Sequence, residues 1–99
     1  MPKAKLLIDE KTVFADGTIV QMVVWRLPNR DQERPHGLKY SLFYGKKGIR
    51  IIGYDNERGK GDHKHLGTIQ LPYTFTTLGQ LIADFRKDVE AQGRDDENS

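Results

Sequence analysis

The stretch LKYSLFYGKKGIRIIGY, residues 38–54, decides the fold class of this 99-residue chain. Two runs with the composition of β-strands, 38–44 and 48–54, flank a Gly-Lys-Lys connection at 45–47, and this spacing predicts a compact hairpin. Side chains of a strand point alternately to opposite faces. In the first run, one face carries Leu38, Tyr40, Leu42 and Tyr44, and the other carries Lys39, Ser41 and Phe43. The sequence therefore predicts an antiparallel sheet that includes this hairpin.

Two more strands are predicted before the hairpin. Residues 4–9 form a short apolar run, and a turn signal, Ala-Asp-Gly, follows at 15–17. Residues 18–27 are rich in β-branched side chains and end at Pro28. Both faces of this second run carry apolar residues, which predicts a central strand that is covered at least in part on each side.

One helix is predicted, close to the end of the chain. Residues 68–71 and 73–75 are expected to form a last strand, which Pro72 interrupts and so places at the sheet edge. In the following TTLGQLIADFRKDVEAQG, Thr77 and Gln80 form a capping box. The apolar stripe of the helix consists of Leu78, Leu81, Ile82, Phe85 and Val89. Gly93 is expected just past the end of the helix. The order of elements predicts an α+β fold, an antiparallel β-sheet with one C-terminal amphipathic helix packed on a face.

Length and composition predict one domain inside the cell. Residues 1–93 are expected to form a single α+β domain, and 94–99, RDDENS, a disordered acidic tail. The chain has no cysteine, which excludes a disulfide framework and a thiol nucleophile and favours the reducing cytoplasm. The opening MPKAKLLIDE has too few apolar residues for a signal segment or a membrane span, so the expected localisation is cytoplasmic and no membrane partner is predicted.

The charge balance permits a phosphate-bearing partner. The formal net charge is +2, but the last six residues hold one basic and three acidic groups. Residues 1–93 therefore hold 15 basic and 11 acidic groups, a net charge of +4. This excess is smaller and less clustered than that of a typical strong nucleic-acid binder.

The stretch YDNERGKGDHKH, residues 54–65, concentrates ionisable groups after a predicted strand. Gly59 and Gly61 flank Lys60, and their backbone amides are suited to form a nest that binds an anion. Arg58 and Lys64 add positive charge, which makes phosphate the expected ligand. The stretch lacks both the Walker spacing and the GxGxxG pattern, so nucleotide hydrolysis and dinucleotide binding are excluded.

His63 and His65 are two residues apart, so they point to the same side if the chain is extended there. Two imidazoles on one face can act as acid and base across a phosphodiester. Arg58 or Lys60 would stabilise the charge that develops on the phosphoryl oxygens. This arrangement predicts a metal-independent ribonuclease, in which the 2′-hydroxyl of the RNA attacks the phosphate.

The same residues support two other interpretations. The two imidazoles with a carboxylate of Asp55, Glu57 or Asp62 resemble a two-histidine, one-carboxylate metal site, although neighbouring cations oppose it and only His36 could supply a third histidine. A stretch of this kind is also common as a plain exposed loop held by ion pairs. The aromatic residues also have two interpretations: they either stack on nucleic-acid bases or are buried in the core. These residues are Trp25, Tyr40, Tyr44 and Tyr54.

Four segments together resemble the TumE-like family of small prokaryotic toxins. They are KAKLLIDEKTVFADGTIVQMVVWRLP, KYSLFYG, GYDNERGKGDHKH and PYTFTTLGQLIADFRKDVE, and the resemblance extends over about residues 3–89, without the acidic tail. Its most distinctive part is the block YDNERGKGDH, residues 54–63. The resemblance implies a cytoplasmic protein that inhibits growth when free. It also implies a helix-turn-helix antitoxin, typically encoded beside the toxin, that silences it. It implies no catalytic mechanism.

The resulting hypothesis is the toxin component of a toxin–antitoxin pair that acts on RNA, with no metal or cofactor. The candidate catalytic residues are His63, His65, Asp55 and Glu57. The candidate phosphate or RNA contacts are Arg58, Lys60, Lys64, Gly59, Gly61 and Tyr54. The alternative is a non-catalytic protein-interaction module that uses the charged loop as a docking surface. Apolar positions on both faces of the sheet also leave room for a homodimer.

Overall fold

The chain folds as a six-stranded antiparallel sheet with one α-helix, which confirms the predicted α+β class. The structure, a computed structural model, describes residues 3–32, 34–57, 59 and 61–94. Each strand pairs with the next along the chain, so the order in the sheet is β1-β2-β3-β4-β5-β6. The elements are β1 (Lys5–Val13), β2 (Thr18–Arg26), β3 (Leu38–Lys46), β4 (Ile49–Asp55), β5 (His63–Leu66), β6 (Ile69–Pro72) and α1 (Leu78–Val89).

The hairpin of β3 and β4 forms, but its turn lies later than the sequence predicted. The turn is at Lys47 and Gly48, whose φ angles of 53° and 78° are both left-handed, as a tight hairpin turn requires. Gly45, predicted in the turn, lies in β3 at a register shift of the ladder. A Cβ atom on Gly45 would lie 2.2 Å from the carbonyl oxygen of Ile49. The close approach of two strands, and not a turn conformation, therefore explains this glycine.

The N-terminal pair of strands is longer than its apolar run. The β1–β2 ladder continues to the pair of Val13 and Ile19, so β1 extends four residues past the predicted 4–9 through exposed positions. Backbone pairing with β2 holds these residues in the sheet without burial. The predicted turn is present, because the Asp16 carboxylate accepts hydrogen bonds from the amide and hydroxyl of Thr18.

The short strands β5 and β6 replace the single late strand that the sequence predicted. Residues 63–66 are extended and pair with β4, and β6 pairs with β5 at the edge of the sheet. Pro72 is the last residue of β6 and lies opposite His63. Residues 73–75 are not a strand, since the chain leaves the edge after Pro72 and crosses toward α1.

Helix α1 begins as predicted and ends differently. The Thr77 hydroxyl accepts the amide hydrogen of Gln80 at 3.0 Å, whereas the Gln80 side chain donates to Asp84 and does not complete the capping box. Glu90, the residue after α1, keeps a right-handed helical conformation, and the chain continues as a π-helical turn, Glu90–Arg94. Gly93 therefore lies inside this turn and not in a left-handed cap. The predicted tail lies largely outside the described residues, at 95–99.

The core lies between α1 and one face of the sheet. Its buried apolar residues are Met22, Val24, Leu38, Tyr40, Leu42, Tyr44, Ile52, Tyr54, Leu81, Phe85 and Val89. We call the other sheet face the open face. Its half-buried apolar side chains include Val23, Trp25 and Phe43, and in the described part of the chain no second layer covers them, contrary to the prediction for β2. Among the described residues, no helix has the length and apolar character needed to span a membrane.

Candidate functional site

The loop that joins β4 to β5, residues 56–62, is anchored at its first residue by Asn56. This side chain is 1% exposed; its carbonyl accepts the amide hydrogen of Tyr40, and its NH₂ group donates to the carbonyl of Leu38. The side chain thus continues the β3–β4 ladder past the end of β4. The buried guanidinium of Arg34 donates to the backbone carbonyl of Asn56 through two nitrogens. The loop therefore leaves the sheet from a fixed point.

Asp62 anchors the other end of this loop. Its carboxylate accepts hydrogen bonds from the Tyr40 hydroxyl at 2.7 Å and from His36 Nε2 at 3.0 Å. The His36 ring stacks on Phe75, with 4.0 Å between the ring centroids. Burial raises the pKa of Tyr40, and the hydrogen bond to Asp62 raises it further, so the phenol remains a protonated donor.

Asp55, His63 and His65, which we call the Asp–His–His cluster, meet where β4 and β5 pair. Asp55 and His63 are opposite in register, and Asp55 Oδ1 lies 2.7 Å from His63 Nε2. His65 Nε2 lies 3.9 Å from Asp55 Oδ2. The two imidazole centroids are 4.9 Å apart and the rings are nearly perpendicular, at 82°. Both imidazoles therefore direct Nε2 toward one carboxylate.

The cluster lies on the open face. Residues directly opposite in a ladder share a face, as do residues two apart, so Asp55, His63 and His65 are on one side. Tyr54 and Lys64 are consequently on the other side, toward α1. The His63 side chain is 4% exposed, that of His65 13% and that of Asp55 25%, so the cluster is sheltered but reaches solvent through its carboxylate.

A surface cleft of about 270 Å³ opens beside this carboxylate. Its lining is Lys39, Tyr40, Ser41, Asp55 and Glu57. A second cleft, of about 350 Å³, is lined by Ala4, Trp25, Leu27 and Lys39. Lys39 borders both clefts, so it lies between the Trp25 indole and the Asp55 carboxylate. The sequence analysis did not select Lys39, although strand alternation had placed it on the face away from the core.

The remaining predicted site residues lie in several places. Tyr54 is 1% exposed, and its hydroxyl donates a hydrogen bond to Asp88 of α1. Lys64 Nζ lies 3.4 Å from the same carboxylate. Both side chains therefore serve the packing of the helix on the sheet. The amide of Glu57 lies 3.5 Å from Asp55 Oδ1, at the rim of the cluster. The predicted phosphate contacts Arg58 and Lys60 lie outside the described residues.

Gly59 and Gly61 have left-handed backbone conformations, with φ angles of +86° and +67°. Such angles are strained for residues with a Cβ atom, so glycine is required at both positions. The described part of the loop thus has the backbone conformation expected of an anion-binding turn.

The structure also separates the two interpretations of the aromatic residues. Tyr40, Tyr44 and Tyr54 belong to the core, and of the four candidates only Trp25 is half-exposed.

The fold and the cluster define a small α+β protein with a carboxylate–imidazole site at one end of an open sheet. A model of the family described as Toxin TumE matches residues 3–93. The chain therefore belongs to the TumE toxin family, which confirms the resemblance seen in the sequence, and a toxin of this family implies an antitoxin partner. No curated protein and no solved structure matches the chain.

Proposed function

We propose that this toxin cleaves RNA and that the Asp–His–His cluster is its reaction centre. The observation that supports the proposal is the convergence of two imidazole Nε2 atoms on one carboxylate beside a surface cleft. Two imidazoles and a carboxylate, the groups that proteins commonly use for proton transfer, lie together there, on the face that α1 leaves uncovered. Family membership accounts for toxicity, and these residues supply the chemistry.

Single-stranded RNA is the proposed substrate. A strand that follows the two clefts would stack a base on the half-exposed Trp25 indole and place a phosphate near Lys39. The scissile phosphate would then lie at the Asp55 end of the path. Arg58 and Lys60, with the amides of the glycine-rich loop, are proposed as further phosphate contacts, consistent with the net charge of +4 over residues 1–93.

The proposed reaction is attack by the 2′-hydroxyl on the adjacent phosphorus. A base removes the 2′-hydroxyl proton, the 2′-oxygen bonds to phosphorus, the P–O5′ bond breaks, and the 5′-oxygen receives a proton. The two histidines have different roles in this proposal. His63 has Asp55 on one side of its ring and the Gly61 carbonyl on the other, so it acts as a positioning residue. The Asp55 carboxylate lines the cleft, and His65, the more exposed of the two histidines, lies beside it. These two residues are proposed to take the 2′-hydroxyl proton and to return a proton to the 5′-oxygen.

A helix-turn-helix protein is the proposed antitoxin. A bound antitoxin would silence the toxin by covering the clefts on the open face, where half-buried apolar residues lie beside the site. The same apolar residues would support a homodimer through this face. In either assembly, RNA would lose access to the cluster.

The test is incubation of the purified full-length protein with an end-labelled RNA of mixed sequence. Wild-type protein is expected to produce fragments that end in a 2′,3′-cyclic phosphate. His65→Ala and Asp55→Asn are expected to lower the rate by about 100-fold or more, the usual cost of removing a group that transfers protons. Asp84→Asn is a matched control of the same residue type outside the cluster, and it is expected to cleave RNA normally.

Two results would overturn the proposal. Cleavage that survives in Asp55→Asn and His65→Ala would place the reaction elsewhere. Intact RNA in the presence of folded wild-type protein would favour the alternative function, a non-catalytic module that docks on a protein through the charged loop. Circular dichroism of every variant ensures that only folded proteins are compared.

A further inference from the structure

His63 has an acceptor on each side of its ring. Nδ1 lies 3.0 Å from the carbonyl oxygen of Gly61, and Nε2 lies 2.7 Å from Asp55 Oδ1. A neutral imidazole carries one N–H and one lone pair. If Nδ1 donates to the carbonyl, Nε2 either donates a second N–H to the carboxylate, as in an imidazolium, or presents its lone pair to a metal ion that Asp55 also binds.

The other buried histidine–aspartate pair differs at this point. His36 Nδ1 accepts the amide hydrogen of Leu38, so its Nε2 carries the ring proton and donates it to Asp62. This pair is satisfied with a neutral imidazole, and the Tyr40 hydroxyl supplies a second donor to the carboxylate. Of these two pairs, only the one in the Asp–His–His cluster therefore leaves Nε2 available to a metal ion.

We propose that Asp55, His63 and His65 bind one divalent transition-metal ion. One ligand atom of each residue lies within 4.8 Å of the other two. An ion bound at about 2.0–2.2 Å by tetrahedral ligands holds them roughly 3.3 Å apart. The observed separations of Asp55 from the two histidines, 2.7 and 3.9 Å, lie on either side of this value. Small side-chain rotations therefore suffice to form the site.

The donor set indicates the class of ion. Two imidazoles with one carboxylate suit Zn²⁺, Fe²⁺, Co²⁺ or Mn²⁺, whereas Mg²⁺ and Ca²⁺ prefer oxygen ligands. The hydrogen bond from His63 to the Gly61 carbonyl is the outer partner that metal-binding histidines usually have, because it fixes the tautomer that presents Nε2. Three protein ligands leave a coordination position for water, as in catalytic sites.

Neighbouring cations were the argument against a metal in the sequence analysis. Lys64, the closest lysine in the sequence, lies on the helix face and pairs with Asp88. Lys39 borders the cleft, at a position suited to a phosphate that would be bound next to the ion. The arrangement of these two described lysines is therefore compatible with a dication at the cluster.

The use of the ion in catalysis rests on the proposed function, whereas its binding does not. In RNA cleavage, an ion-bound hydroxide would take the 2′-hydroxyl proton and become bound water. The 2′-oxygen would bond to phosphorus as the P–O5′ bond breaks, and the bound water would return the proton to the 5′-oxygen. With the ion bound, Asp55 and His65 would be its ligands, and the ion would supply the base and the acid in place of direct proton transfer by these side chains.

The test measures metal binding without RNA. Untagged full-length protein is stripped with a chelator and titrated with Co²⁺ and Zn²⁺ by calorimetry, and Co²⁺ binding is also followed by its visible absorption. Wild-type protein is expected to bind one equivalent, and saturation is expected to raise Tm. Asp55→Asn and His65→Ala are expected to weaken binding by more than about 100-fold, beyond the loss typical of an outer-shell change. Asp84→Asn, a change on α1 outside the cluster, is expected to bind as wild type does.

The outcomes separate this inference from the proposed function. Absence of stoichiometric binding, or equal binding by Asp55→Asn and wild type, would overturn the metal site. One bound equivalent that depends on the cluster, in a protein that leaves RNA intact, would support the metal site and overturn the ribonuclease. Cleavage by stripped protein in EDTA would support the ribonuclease and overturn the catalytic use of the ion.

Discussion

Asp55 and His63 lie opposite each other on β4 and β5, with 2.7 Å between Asp55 Oδ1 and His63 Nε2. The pair closes the loop of residues 56–62 at its base, and the His63 ring also reaches the Gly61 carbonyl. The same contact holds the carboxylate beside His65. His63 therefore contributes to the fold as well as to the site, and its replacement has two effects that need to be measured separately.

The two histidines of the cluster are expected to differ in their contribution to stability. His63→Ala removes a buried ring with a partner at each nitrogen and is expected to lower the free energy of unfolding by about 1–3 kcal/mol. His65→Ala is expected to cost less than about 1 kcal/mol, because the Asp55–His63 contact remains. Urea denaturation of both variants measures the difference, and equal losses would contradict the assigned roles.

Asn56 is expected to be a main determinant of loop geometry. Asn56→Ala leaves the Tyr40 amide and the Leu38 carbonyl without their buried partner, so the free energy of unfolding is expected to fall by about 2–4 kcal/mol. Thr76→Ala, an exposed change in the segment before α1, is the control and is expected to have little effect. Thermal or urea unfolding gives the values. A loss below about 1 kcal/mol would show that backbone pairing alone holds this end of the loop.

Trp25 and Lys39 are expected to bind RNA in distinguishable ways. Lys39→Ala removes one phosphate contact and is expected to lower the slope of log affinity against log salt by about 1. Trp25→Ala is expected to weaken binding by roughly 1–3 kcal/mol with little change in that slope, because stacking is not ionic. Fluorescence anisotropy with a short single-stranded RNA measures both. Unchanged affinity in both variants would remove the open face as the RNA path.

Stability is expected to fall at alkaline pH. Burial raises the pKa of Tyr40, Tyr54 and Tyr73 above the ordinary value of 10.0, and hydrogen bonds to aspartates add to the rise. Above that ordinary value, the unfolded chain loses protons that the folded chain retains, so the free energy of unfolding decreases as pH rises. Urea midpoints between about pH 9 and about pH 11 are expected to decline. Tyr54→Phe removes one of these groups, so its decline is expected to be shallower, and a midpoint that rises with pH would contradict this account.

The sequence was sufficient for the elements that depend on regular patterns. Alternation along β3 and the apolar stripe of α1 identified the core, and the two-residue spacing of His63 and His65 placed their rings on one side. The position of the β3–β4 turn was wrong because a close backbone approach at Gly45 resembles a turn signal in the sequence.

The sequence was not sufficient for contacts between distant segments. Nothing local links His36 to Asp62, or Arg34 to Asn56, because the sheet brings these pairs together across more than twenty residues. The choice of Asp55 over Asp62 as the partner of His63 likewise depends on the β4–β5 register. The two-residue spacing placed Lys64 on the side opposite the two histidines, and the sheet identifies that side as the one that faces α1.

The central claim is that toxicity depends on the Asp–His–His cluster. The most direct test is the growth of bacteria that express the protein without an antitoxin. Wild type, His65→Ala and Asp84→Asn are induced in parallel, and soluble protein is quantified in each culture. The account predicts that wild type and Asp84→Asn arrest growth and that His65→Ala, at the same soluble level, does not. Equal growth arrest by His65→Ala would contradict it.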